Sequence, residues 1–258
     1  MSSHPPTANR MLNKVPEVTL AFWVIKIMST TVGETGADYL AVHVGLGTAI
    51  TGGIMAALLA AALIAQLRAR QYVPWIYWLT VVLVSVVGTQ ITDALTDRLD
   101  VSLYLSTAVF AVLLAATFAL WYGSERTLSI HTIVTARREL FYWTAILFTF
   151  ALGTAAGDLA TEALGLGFNV GVLVFAGLIA VVYAAYGLGA DAVLAFWLAY
   201  ILTRPLGASL GDLLSQSPAY GGLGLGTVTT SIVFLAVIVA LVAMLSLRTD
   251  RPRTADGL

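Results

Sequence analysis

Long apolar blocks alternate with short polar ones along this chain. Eight apolar segments, at roughly 18–41, 46–66, 73–96, 102–122, 140–163, 168–187, 190–215 and 226–247, approach the ~20 residues a membrane-spanning helix requires. The odd-numbered segments carry a shared polar pattern. Trp23 is followed after nine residues by Gly33 and after four more by Asp38. The same W-x9-G-x4-D spacing returns as Trp78, Gly88 and Asp93, as Trp143, Gly153 and Asp158, and as Trp197, Gly207 and Asp212. Four ungapped copies, spaced 55, 65 and 54 residues apart, mark an internal repeat.

The even-numbered segments are plainer. Residues 56–65 and 232–247 are almost wholly Ala, Leu, Ile and Val. They are expected to form the lipid-facing wall, with the odd helices lining the interior. Three of the Asp residues are followed by a Gly-Leu-Gly turn, at Gly45–Gly47, Gly165–Gly167 and Gly224–Gly226; the second copy has Asp100-Val101-Ser102 instead. The pattern predicts an all-α integral membrane protein of about eight transmembrane helices. These form four two-helix repeats around a pseudo-symmetric axis, grouped as two parallel four-helix halves. Because each repeat has two spans, all four share one orientation.

Basic residues set that orientation. Arg10 and Lys14, then Arg68 and Arg70, then Arg126, Arg137 and Arg138, then Arg248, Arg251 and Arg253 all fall on one side, whereas Arg98 is alone on the other. The expected layout is a cytoplasmic tail at 1–15, a membrane half at 16–123, a cytoplasmic linker at 124–139, a second half at 140–247 and a cytoplasmic tail at 248–258. The Asp residues then lie toward the outer ends of the odd helices and the Trp residues toward the cytoplasm, where they read as an interfacial aromatic belt. Trp and Asp are 15 residues apart in each copy, about 22 Å of helix rise.

Composition narrows the class further. The chain is 59% hydrophobic and 10% charged, with a mean hydropathy of +0.90. Soluble domains carry about 25% charged residues, so too little polar surface exists here to cover a globule. A net charge of −1 gives no pull toward nucleic acid. The lack of Cys excludes disulfides, thiolate metal sites and a Cys nucleophile. No cleavable signal pattern precedes the first span.

The candidate chemistry sits on the repeat. Intramembrane carboxylates are costly and mark functional sites by default. Asp38, Asp93, Asp158 and Asp212, joined by Glu34, Gln90, Thr35 and Ser209, offer oxygen ligands suited to a hard cation. Asp38, Glu34, Asp93, Asp158 and Asp212 are the candidate metal ligands. The competing reading makes each Asp a cap for the following turn or helix. Lys26 and Arg204 are candidate counter-charges that gate release, with Glu34 the expected partner of Lys26; an anion site on these two residues is the other possibility. Gly33, Gly88, Gly153 and Gly207 permit close helix packing or a helix break, and Pro205 predicts a kink. His43 is placed to join the acid cluster or to face solvent.

Several classes are disfavoured. The chain has no H-E-x-x-H, no G-x-G-D and no Walker A motif. Paired His for haem within spans are also missing.

The stretch from Lys14 through Pro16, Glu17, Phe22 and Trp23 to Lys26, Thr30, Thr31, Gly33, Glu34 and Asp38 resembles a bacterial family of uncharacterised "membrane-anchored" integral membrane proteins. That resemblance implies a bacterial inner-membrane location and carries no established activity. From the residues themselves, the leading expectation is a non-enzymatic secondary transporter or exporter of a small cation, a divalent metal favoured. The only cofactor expected is a bound divalent cation. The expected partners are the bilayer, the cation and a second copy of the chain. Two further readings stand beside it: a membrane interaction or sensor-partner protein with purely structural Gly and Asp, and a membrane-embedded lipid enzyme.

Overall fold

The computed structural model describes residues 13–42 and 48–249. Every regular element among the described residues is helical. The eight long helices are α1 (Leu20–Val42), α2 (Thr48–Arg68), α3 (Pro74–Asp93), α4 (Leu103–Glu125), α5 (Ala136–Asp158), α6 (Gly167–Gly187), α7 (Ala192–Ser215) and α8 (Thr227–Thr249). A five-residue π turn extends α3 over Ala94–Arg98 and another extends α5 over Leu159–Ala163.

Local chemistry explains the ends. Pro74 opens α3 at the position where its missing N–H costs nothing. Ser102, Thr135 and Asp191 cap α4, α5 and α7, accepting from the backbone N–H of Leu105, Arg138 and Leu194. Gly165, Gly167, Gly224 and Gly226 all have φ between +68° and +79°. Both described Gly-Leu-Gly turns thus use the left-handed backbone that glycine alone adopts without strain. The loop before α5 is shorter than expected, because α5 starts at Ala136 and takes Arg137 and Arg138 into its first turn, where both pair with Glu125.

Seven helices, α2 through α8, are long and apolar enough to cross a membrane. α1 has 23 residues, but Lys26, Glu34, Asp38 and a run of hydroxyls dilute its hydropathy. The expected division between inner and outer helices is clear. Buried residues make up 61–67% of the apolar windows of α3, α5 and α7, but 11–22% of those of α2, α4, α6 and α8. The inner helices form a closed ring: α1 packs on α3, α3 on α5, α5 on α7, and α7 on α1. These contacts run straight across the two expected halves. Each outer helix packs chiefly on the inner helix after it in the chain, α2 on α3, α4 on α5 and α6 on α7, while α8 returns to α1.

The repeated glycines make that ring. A Cβ at Gly33 would overlap Ser85, one at Gly88 would meet Phe150, one at Gly153 would overlap Arg204, and one at Gly207 would overlap Thr30. Ser85, Phe150, Arg204 and Thr30 each stand three residues before the glycine of the next repeat. One contact is therefore used four times around the ring. The helices are continuous through all four glycines and through Pro205, so these positions serve close packing and not helix breaks.

Candidate functional site: an acid-lined cavity above an ion-paired layer

The first layer lies at the Trp end. Each repeat has an aromatic residue immediately before its Trp, and this residue reaches the Trp of the next repeat. The ring centroids are 5.5 Å apart for Phe22 and Trp78, 5.5 Å for Tyr77 and Trp143, 6.2 Å for Tyr142 and Trp197, and 5.7 Å for Phe196 and Trp23. Tyr77 and Tyr142 share a 2.5 Å hydroxyl hydrogen bond. Trp78, Trp143 and Trp197 are buried and Trp23 half-buried. The expectation of an interfacial belt is therefore corrected. The Trp rings pack inward, because each has an aromatic partner across a helix contact, worth about 0.5–1.5 kcal/mol beyond burial.

The middle layer is charged and buried. Arg204 is fully buried. Its guanidinium donates to Glu34 Oε2 at 2.9 Å, to Thr154 Oγ1 at 2.7 Å, to the Thr30 carbonyl at 3.3 Å, and to Thr89. Glu34, Thr89 and Thr154 are the same repeat position, one past the glycine, so three inner helices deliver an oxygen to one guanidinium. Gly153 provides the space for the Arg204 stem. The expected Lys26–Glu34 pair is not formed. Eight residues of helix separate them, and Arg204 reaches Glu34 from α7 instead. Lys26 is also fully buried, with its Nζ lying 4.1 Å from the centre of the Phe150 ring and 4.3 Å from that of Tyr200, and without a hydrogen-bond acceptor. Cation–π contact supplies what an anion would otherwise give.

Beyond this layer, at the Asp end, lies a cavity of about 670 Å³. Asp38, Asp93, Asp158 and Asp212 all line it, together with Glu34, Gln90, Asp97 and Glu162. Asp97 and Arg98 on its rim are exposed, so the cavity opens to the surface at that end. Neither Asp93 nor Asp158 uses its side chain as a cap, and among the described residues no side-chain hydrogen bond or ion pair holds any of the four repeated Asp. The capping reading therefore fails where it can be checked.

Two expected members lie elsewhere. Thr35 bonds to the Thr31 carbonyl at 3.1 Å and to Ser231 of α8 at 2.7 Å. Ser209 faces Gly171 of α6. Both occupy the repeat position of Gln90, which does line the cavity. The difference is the neighbouring outer helix. α8 and α6 pack tightly at that position, whereas α2 presents only Ala49, Gly52 and Ala56, and the cavity spreads between α2 and α3. The expected metal-ligand set is also corrected. Among the described residues no group of three or more His, Asp or Glu is placed to hold a metal ion, although the four repeated Asp line one cavity. His43 lies outside the described residues.

Asp97, Glu162 and Gln216 line the cavity without having been counted as site residues. Each stands four residues after a repeated Asp, Asp97 and Glu162 in the π turns and Gln216 at the C-cap of α7, and that spacing is the signal that finds them. Phe150 and Tyr200 carry no such signal, since an aromatic in an apolar helix reads as packing.

The repeat seen in the structure has a counterpart in comparison with known families. A family described as a Repeat of Unknown Function (DUF347) matches residues 21–72, 76–127, 141–188 and 195–251. The chain belongs to this family. Each matched segment covers most of one inner helix and all of the outer helix that follows it, so the matched unit is the helical hairpin, four times over. No curated protein and no solved structure matches the chain.

Proposed function

We propose that the protein is a secondary transporter of a small cation, loaded from the Asp-lined cavity. The observation that carries this reading is the convergence of four repeated Asp, one from each inner helix, on one cavity. Carboxylates without partners in an apolar setting are stable only when a cation or proton neutralises them.

The reading places the chain in a bacterial inner membrane with α1 as an eighth span. Its 23 residues and its position among α3, α7 and α8 support that. The distribution of Arg and Lys puts the termini in the cytoplasm, so the cavity faces outward. The aromatic layer closes the opposite end. Between them the Arg204–Glu34 pair is the gate: a cation descending the cavity competes with Arg204 for Glu34, and freeing Arg204 loosens a layer shared by all four inner helices. Alternating exposure follows from moving that layer. A bound divalent ion would keep water, because too few carboxylates converge to strip it. Lys26 and Arg204 are fully buried and neither lines the cavity, which favours the cation reading of this cavity over the anion one.

The test is charge movement in proteoliposomes. A concentration jump of a transported cation produces a transient current, and Asp93→Asn and Asp158→Asn abolish it while still inserting and eluting as folded protein. Currents from both variants equal to the parent's overturn the proposal.

A further inference from the structure

The cavity has two unlike walls. One carries the acid residues. The other, chiefly from α2 and the start of α4, is built of Ala49, Gly52, Ala56 and Leu103, with Val87 and Ile91 standing beside Gln90 and Asp93 on α3. A small inorganic ion has no use for such a wall, since a hydrated cation wants oxygen on all sides. The volume, about 670 Å³, falls in the range of roughly 300–1,000 Å³ that holds drug-sized organic molecules.

A second observation points to a ligand. Asp212 lines the cavity with only 7% of its surface exposed, and among the described residues no hydrogen bond or ion pair holds its carboxylate. Gln90 adds a buried amide oxygen without a donor in the same wall. Two acceptors without partners among the lining residues, together with apolar side chains around a space of this size, suit a charged head with an apolar flank.

We propose that the cargo of this cavity is an organic cation, an ammonium carrying alkyl substituents, bound with its charge toward Asp212 and the other Asp and its carbon substituents against the apolar wall. This rests on the cation-transport reading and narrows its substrate class. An ammonium needs fewer converging carboxylates than a metal does, consistent with the absence of a three-carboxylate group among the described residues.

The test uses the full chain in detergent, followed by thermal shift. The probes are tetraethylammonium, choline, neohexanol (the uncharged carbon isostere of choline), Na⁺, Mg²⁺ and Mn²⁺. The expected result is stabilisation by the two organic cations but not by neohexanol. Asp212→Asn is expected to weaken their apparent affinity about tenfold or more, the loss of roughly 1.4 kcal/mol of interaction. Gly52→Leu fills the apolar side, where an added Cβ meets nothing within 4 Å, and is expected to abolish the organic-cation shift. Gly177→Leu, an open position on α6 away from the cavity, should leave it intact. A shift from Mg²⁺, Mn²⁺ or Na⁺ alone, sensitive to Asp212→Asn, overturns the organic-cation assignment while keeping cation transport. No shift from any cation overturns both. An organic-cation shift that survives both Asp212→Asn and Gly52→Leu overturns the assignment to this cavity.

Discussion

The two ends of the inner ring share one repeat and have opposite chemistry. At the Trp end, four aromatic–Trp contacts close the axis with rings. At the Asp end, each of the same four helices presents a carboxylate to one cavity. The repeat therefore does not impose one environment along its length. Aromatic side chains at the Trp end find partners across each contact of the ring, whereas among the described residues the four Asp carboxylates find none. The first arrangement favours stability. The second costs stability and is retained for another reason, as sites that bind often are. The middle layer joins the two, and its symmetry is broken at one place: where three repeats have Thr30, Ser85 and Phe150, the fourth has Arg204.

Breaking that layer is expected to have the largest effect. Arg204→Met leaves Glu34 buried and unpaired and should cost about 3–5 kcal/mol, measured by unfolding in mixed micelles. Adding Glu34→Gln should recover most of the loss. If it recovers nothing, the ion pair is not what holds the layer.

The next effect comes from the ring contact. Gly207→Ala drives a Cβ into Thr30 and close to the Thr31 backbone, with an expected cost of about 1–3 kcal/mol. Gly177→Ala, with nothing within 4 Å, should stay within about 0.5 kcal/mol of the parent. Equal effects at the two sites would remove the packing role assigned to the repeated glycine.

A smaller loss is expected in the aromatic layer. Tyr77→Phe removes the hydrogen bond to Tyr142 and should lower stability by about 1 kcal/mol without altering cation-dependent currents. The smallest effect on stability belongs to the Asp end. Asp38→Asn should leave the melting temperature unchanged or slightly raised while the current falls. A destabilised Asp38→Asn protein would place that residue with the structural half of the comparison.

Much of this was legible in the chain. The W-x9-G-x4-D spacing located all four inner helices, and the plain Ala/Leu/Ile/Val stretches marked the outer wall. The side-chain partners were less accessible. Lys26 and Glu34 share a helix and have opposite charge, so pairing them was reasonable. The actual partner, Arg204, lies 170 residues away, and no local pattern links the two. The Trp residues failed for a different reason. An aromatic at the end of an apolar helix suits the lipid interface and the bundle interior equally well.

The sequence alone determined the class of molecule, the number of repeats and the placement of one acid and one glycine in each. Those follow from composition and period, which survive without knowledge of neighbours. Only the tertiary structure decided which glycine abuts which helix, that each outer helix packs on the following inner one, and that Gln90 reaches the cavity where Thr35 and Ser209 do not. The physical reason is that lipid and helix interior are both apolar. Hydrophobicity therefore cannot tell a helix which face to turn inward, and close packing against particular neighbours makes that choice.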